Sequence, residues 1–372
     1  MKPIQIEKVI LHDIKMDLIK PFVTSHSIVK ERQLTIVEMI DQHGNTGWGE
    51  CVAFISPWYT EETQRTCRLV MKDFLIPLLL TTPIDHPMVV SDLFRFVKRN
   101  HMAKAALECA VWDLFAKQQQ VSLSRLIGGS QSKVAAGISI GMKNSPQEWL
   151  QAFSKAQEEG YGRVKIKISR ETDLGLLEMI RESFPDLPLM VDANADFSLA
   201  DMHYLKALDQ FGLLMIEQPL ASDSFCDYAE LQAQLRTPIC LDESIGSYSD
   251  AVDAVRTRAC RVINVKVSRV GGLHEAIKIS QLCAREGLDV WCGGMLESGI
   301  GRAYNIALAS LADFTLPGDI SNTANYWEQD ITEPAVEVVH GMIHVPTEIG
   351  LGFQVNRARL EQVTSQREIF QS

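Results

Sequence analysis

The 372-residue chain contains no apolar run approaching the ~20 residues of a membrane span. It also lacks any cluster of lysine and arginine, since 36 basic residues are scattered among 47 acidic ones for a net charge of −11. Phosphate-rich partners need clustered cations, so nucleic acid and anionic membrane are excluded as main partners and a small molecule is expected instead. None of the eight cysteines forms C-x-x-C, and most sit in apolar stretches such as 238–241. This usage points to reduced core residues of a cytoplasmic protein, without a disulfide frame. No Gly-x-Gly-x-x-Gly follows a first strand, which argues against a dinucleotide fold. Residues 1–10 alternate apolar and charged side chains and read as a strand, not as a signal peptide.

What is present is a two-part pattern. Strand formers at 34–40 and 48–52 flank Gly44-Asn45-Thr46-Gly47 and predict a hairpin, and 61–80 and 102–119 read as helices. After Gly128-Gly129 short apolar strands alternate with helical segments, at 134–140, 164–168, 189–193, 213–217, 239–242, 262–266, 288–292 and, more weakly, 313–316. Successive strand ends at 167, 192, 217, 242 and 266 are 25, 25, 25 and 24 residues apart, as expected when each crossover helix and its loops need similar length. The predicted fold class is α/β, a modified (β/α)7β barrel over residues 126–324. An α+β capping domain is predicted from residues 1–125 plus 325–372, with a hairpin at 336–345 packing back on the first module.

Side-chain parity then selects the chemistry. In Val164-Lys165-Ile166-Lys167-Ile168 the apolar side chains face the helices and both lysines face the barrel. By the same count Asp192 and Asn194 share a face, Asp242 and Ser244 share one, and Asn264 and Lys266 share one, while Glu217 closes its strand. All lie near the C-terminal strand ends, where barrel active sites form. Carboxylates of Asp192, Glu217 and Asp242 should converge and repel unless a hard cation joins them; an all-oxygen set suits Mg²⁺, with Mn²⁺ also fitting. Lys165 and Lys167 should lower each other's pKa, and Lys266 lies four strands from Lys167, across an eight-stranded barrel. Two lysines flanking a metal-bound carboxylate are the parts needed for α-proton abstraction, a pattern already described for enolase-type sites.

These runs, together with Val191-Asp192-Ala193-Asn194, Ile216-Glu217-Gln218-Pro219, Leu241-Asp242-Glu243-Ser244 and Asn264-Val265-Lys266, resemble the muconate-lactonizing subgroup of the enolase superfamily. Residues 293–302 and Leu316-Pro317-Gly318-Asp319 resemble more narrowly its branch of o-succinylbenzoate synthases and N-acylamino acid racemases. The similarity spans essentially the whole chain. It implies Mg²⁺ on Asp192, Glu217 and Asp242, with Lys167 and Lys266 as the catalytic pair, and a lid built from the loops 21–28 and 54–59. It further implies syn dehydration of 2-succinyl-6-hydroxy-2,4-cyclohexadiene-1-carboxylate for menaquinone synthesis, with Lys167 as base. Racemisation of N-succinylamino acids, or dipeptide epimerisation, is the alternative as main or second activity. A homo-oligomer is expected. No histidine ends the seventh strand, where Trp291-Cys292 stands, which disfavours the mandelate racemase branch.

Supporting roles are expected for Lys165, Asn194, Glu243, Asn264 and Arg269. Asn194 and Asn264 either orient lysines and metal ligands or are hydrogen-bonded core, and Glu243 either reaches the metal site or is structural. Arg269, three residues past Lys266, should lower the pKa of that lysine. Ser298, Gly299 and Ile300 could bind a substrate carboxylate through backbone amides, or form a tight turn. Phe54, Trp58 and Tyr59 could cap an apolar substrate or pack between modules. A non-enzymatic metal- or ligand-binding barrel is the rival of another class, but binding alone does not require bases on both faces.

Overall fold

The computed structural model describes residues 3–23 and 28–371. Strands β1 (Ile6–Val23), β2 (Ile28–Asp41) and β3 (Thr46–Cys51) form an antiparallel meander. The expected hairpin between β2 and β3 turns where the Asp41 carboxylate accepts the backbone N–H groups of His43 and Asn45 and Gly44 takes φ +79°. Helix His101–Gln118 crosses β3 at backbone contact. A Cβ on Gly49 would stand 1.9 Å from the Ala106 carbonyl oxygen, and one on Gly47 2.3 Å from that of Ala110. Glycines on the strand and alanines on the helix therefore set the layer spacing. The expected helix at 61–80 runs as Gln64–Val70 and Ile76–Thr81, joined by a π turn at Met71–Leu75.

The second sheet follows β4 (Lys133–Ala135) and consists of β5 (Gly137–Ile140), β6 (Arg163–Lys167), β7 (Leu189–Asp192), β8 (Ile216–Glu217), β9 (Ile239–Leu241), β10 (Val262–Val265) and β11 (Asp289–Cys292). These seven strands are parallel and lie in chain order. The weak strand expected at 313–316 does not form. The gap between β11 and β5 is closed by single bridges, Val290 to Phe314 and Ala136 to Gly318, and by a few backbone hydrogen bonds such as Asp319 N–H to the Cys292 carbonyl, and Pro317 has no N–H to give a ladder. Inside the sheet, Met190, Met215, Cys240, Val262 and Trp291 form a buried apolar floor. Two residues further along the same strands stand Asp192, Glu217, Asp242, Asn264 and Gly293. Period-2 alternation thus stacks a polar layer on an apolar one at the C-terminal ends.

In the tail, β12 (Thr332–Glu333), β13 (Met342–His344), β14 (Gln354–Val355) and β15 (Thr364–Gln371) follow. The 336–345 segment turns at His340-Gly341 as expected, but its second arm pairs with β4 and not with the first module. It is β15 that returns, antiparallel to β1. Among the described residues no helix is long and apolar enough to cross a membrane. Seven of the eight free cysteines are buried as expected, whereas Cys226 is exposed.

Buried carboxylates cap helices in trans across the two sheets. Glu50 of β3 accepts the N–H groups of Ser298 and Gly301 at the start of helix Gly299–Ala309. Glu108 of helix His101–Gln118 accepts those of Leu273 and His274 at the start of helix Leu273–Glu286, whose own N-cap is Gly272. Burial pushes the Glu108 carboxyl up to about 7 from an ordinary 4.5. In the unfolded chain it ionises first, so the stability it contributes is fully present below about pH 4.5 and is lost as pH rises to about 7. Between pH 5 and pH 8 the free energy of unfolding in urea should fall further in the wild type than in Glu108→Gln, by on the order of 2 kcal/mol. Equal losses in the two proteins would contradict this.

Candidate active site

The polar layer is assembled by sheet register. Lys167 of β6 lies beside Asp192 of β7, and Asp192 beside Glu217 of β8, while Asp242 and Lys266 follow the last residues of β9 and β10. Lys167 Nζ donates to Asp192 Oδ2 at 2.6 Å and to Asn194 Oδ1. Lys266 Nζ donates to Asp242 Oδ2 and to Tyr59 Oη, each at 2.9 Å. Its aliphatic stem passes through space left by Gly293, where a Cβ would sit 2.7 Å from Lys266 Cε. Asn264 Nδ2 holds Glu217 Oε1 at 2.8 Å, and Asn194 Nδ2 holds Glu243 Oε1 at 3.0 Å. So both asparagines orient members of the constellation.

Lys165 behaves otherwise than expected from its neighbour. Its ammonium bridges Asp319 at 2.7 Å, Glu217 at 3.0 Å and Asp192 at 3.4 Å and stacks near the Trp291 ring. Burial alone would lower its pKa, but Asp319, Glu217 and Asp192 outweigh burial and hold it well above the usual lysine range. Lys266 is likewise raised: burial pulls down, and Tyr59, Glu217 and Glu243 more than reverse it. The expected lowering of Lys266 by Arg269 is therefore corrected. Arg269 spends its donors on Asp242, Tyr59 and the carbonyls of Ile245 and Asn264.

The three acids do not converge on a point. Among the described residues no three acidic, histidine or cysteine side chains gather tightly, because the ammonium groups of Lys165, Lys167 and Lys266 stand between the carboxylates. Burial pushes Asp192 up, yet Lys167 and Lys165 hold it well below the usual carboxylate range; Glu217 is raised by burial and by the Asp192 charge. Glu243 is half-buried and raised for the same reasons, and its buried Oε2 has no hydrogen-bond partner among the described residues. Asp192, Glu217 and Asp242 offer oxygen ligands alone, and Glu243, which feels the charges of Asp192 and Glu217, adds an unpartnered buried oxygen to the cluster; this chemistry fits a hard divalent cation and offers nothing to a soft one.

These groups open into a cavity of about 820 Å³, counting its mouth. Phe54, Trp58 and Tyr59 line it, with the Phe54 and Trp58 ring centroids 4.5 Å apart. The Arg32 guanidinium stacks 4.2 Å from the Phe54 centroid and so ties that loop to β2. Of the other loop expected to form the lid, residues 24–27 lie outside the described residues. Ser298, Gly299 and Ile300 do not line the cavity, and their amides are committed: Ser298 N–H to Glu50, Gly299 N–H to Asp330 and Ile300 N–H to Ser298 Oγ. Sequence reasoning missed the pair of buried Arg163 and half-buried Asp319, which anchors Lys165 where the sheet closes. Arg163 was legible, since it continues the inward series of Lys165 and Lys167.

Comparison with known proteins places this arrangement. Residues 5–128 match the family described as mandelate racemase / muconate lactonizing enzyme, N-terminal domain, and residues 149–359 the family described as enolase C-terminal domain-like. The chain belongs to the enolase superfamily. Within it, the chain is 50% identical over 367 residues to an o-succinylbenzoate synthase of Geobacillus stearothermophilus, covering 99% of this chain and 98% of that one. It is 39% identical over 360 residues to an N-succinylamino acid racemase of Thermus thermophilus, covering 97% of each. A solved enolase-superfamily structure from Listeria innocua superposes with a TM-score of 0.97 at 42% identity, covering 99% of each chain. The superfamily fold accounts for the seven-stranded curled sheet and the separate meander that meets its mouth.

Proposed function

We propose that this chain is an o-succinylbenzoate synthase, a lyase that dehydrates 2-succinyl-6-hydroxy-2,4-cyclohexadiene-1-carboxylate in menaquinone synthesis. The observation that carries the reading is the placement of Lys167 at the end of β6 and Lys266 just past the end of β10, with Asp192, Glu217 and Asp242 at the ends of the strands between them, in a chain half identical to a synthase of that name. Asp192, Glu217 and Asp242 would hold magnesium, or manganese in its place, once the lysine ammonium groups now between them give way, and the ion would supply positive charge against the substrate carboxylate.

The chain's own residues do the rest. Lys167 Nζ, aimed by Asp192 and Asn194, takes the α-proton and returns it to the departing hydroxyl on the same face, so one lysine serves a syn elimination. The ring gains aromaticity and water leaves. Lys266, buried and hydrogen-bonded to Asp242 and Tyr59, keeps its proton and stabilises negative charge from the opposite side. Phe54 and Trp58 exclude water from above. Residues 1–125 with 325–372 act as the capping domain that carries this lid, over the barrel of 126–324. The unpaired, mostly buried cysteines support a cytoplasmic enzyme.

A second activity, racemisation of N-succinylamino acids, is supported by the lysine on each face and the 39% identical racemase. The test of the main reading is ultraviolet absorbance of the cyclohexadiene with enzyme and Mg²⁺, against an EDTA control. Rapid metal-dependent loss of the diene signal with formation of o-succinylbenzoate is expected. Negligible turnover by folded, Mg²⁺-loaded protein would overturn it, and α-proton exchange in D₂O on N-succinylamino acids would then test the racemase reading.

A further inference from the structure

At the wall of the same cavity sits a cation that the proposed chemistry does not use. Arg302, in the first turn of helix Gly299–Ala309, is only 3% exposed. Its Nη1 donates to the Ser321 carbonyl at 3.0 Å and to Thr323 Oγ1 at 3.2 Å, and the guanidinium lies 4.9 Å from the Tyr326 ring centroid. Among the described residues no carboxylate lies within 4 Å of it, although every other deeply buried arginine or lysine that lines this cavity has one. The Asp330 carboxyl feels its charge, but it stands beyond 4 Å, with Oδ1 bonded to the Gly299 and Ile331 amides and Oδ2 making no hydrogen bond to the guanidinium or to any other described group. Burying a cation with donors unmet costs several kcal/mol unless an anion reaches it. The guanidinium, with Ser321 and Tyr326, faces the same cavity as the lysines and acids.

We infer that Arg302 is the specificity-determining residue for the substrate's second carboxylate, the one at the end of the succinyl chain. This rests on the synthase reading, whose substrate carries one carboxylate for the lysine pair and another on a flexible arm. The planar fork matches a carboxylate and leaves Nε and Nη2 to receive it, while Nη1 keeps the 321–323 segment in place. The same residue would favour N-succinyl over N-acetyl amino acids in any racemase activity.

The test compares o-succinylbenzoate with 2-butyrylbenzoate, which carries a methyl group in place of the distal carboxylate, as competitive inhibitors of the Mg²⁺-loaded wild type, Arg302→Met and Arg302→Lys. The wild type should bind the dicarboxylate about 10- to 100-fold more tightly. Arg302→Met should lose that preference through weaker dicarboxylate binding alone, and Arg302→Lys should recover part of it. Should Arg302→Met fail to fold, Arg302→Lys and the wild-type preference still decide. A wild type indifferent to the distal carboxylate, a preference untouched in either variant, or equal weakening of both ligands would overturn the inference. If the wild type neither turns over the cyclohexadiene nor binds o-succinylbenzoate, the synthase reading falls, and this inference with it; turnover with an unchanged preference in the variants sinks the inference alone.

Discussion

Lys167→Ala lowers turnover of the cyclohexadiene by about 1,000-fold or more, with the melting temperature within a few degrees of wild type. Removal of a positioned base costs between about 100- and 10,000-fold in general, and the upper part of that range is expected because no substitute stands on this face. Lys165 is the nearest amine, two residues along the same strand, but its ammonium is locked among Asp319, Glu217 and Asp192 and held well above the usual range. The fold tolerates the change because Asp192 keeps Lys165 as a partner at 3.4 Å. Ultraviolet assay with matched circular-dichroism melts checks both halves. A variant retaining near-normal turnover would show that the base lies elsewhere.

Stripping divalent cations with EDTA should take turnover below detection, with recovery on adding Mg²⁺, while the protein stays folded. The second half is the less obvious one. Five carboxyl groups at these strand ends, Asp192, Glu217, Asp242, Glu243 and Asp319, face Lys165, Lys167, Lys266, Arg163 and Arg269, so the cluster balances charge from its own side chains. Metal therefore governs chemistry and not the fold. Glu217→Gln removes a charge and one hard oxygen from the middle strand, and should weaken Mg²⁺ binding in calorimetry by about 100-fold. Wild-type affinity in that variant, or unfolding of the native chain in EDTA, would contradict the assignment.

The strand-end acids and lysines were legible because a parallel barrel repeats a fixed unit, and parity within a strand states which side chains turn inward. Asp192, Glu217 and Asp242 needed no more than the spacing near 25 and a period of two. What escaped was whatever depends on contacts distant in sequence. The closing segment at 313–316 carries no period, so the Asp319 bridge to Arg163 and Lys165 could not be foreseen, and with it the upward shift of Lys165. Two lysines on one strand face do repel, but carboxylates from β7, β8 and the closing segment decide the sign. The 298–300 amides look free in sequence and are taken by Glu50, some 250 residues earlier, and by Asp330. The 293–302 run carries the family resemblance, but nothing in it tells that Arg302 is buried at the cavity wall.

The most direct test of the account is a crystal structure of the protein with Mg²⁺ and o-succinylbenzoate. One metal ion on Asp192, Glu217 and Asp242, with the ring carboxylate bound to it between the Lys167 and Lys266 ammonium groups, is the predicted result. A metal held by other residues, or a product bound with neither lysine near its ring, would contradict the central claim that this strand-end cluster performs metal-assisted proton abstraction.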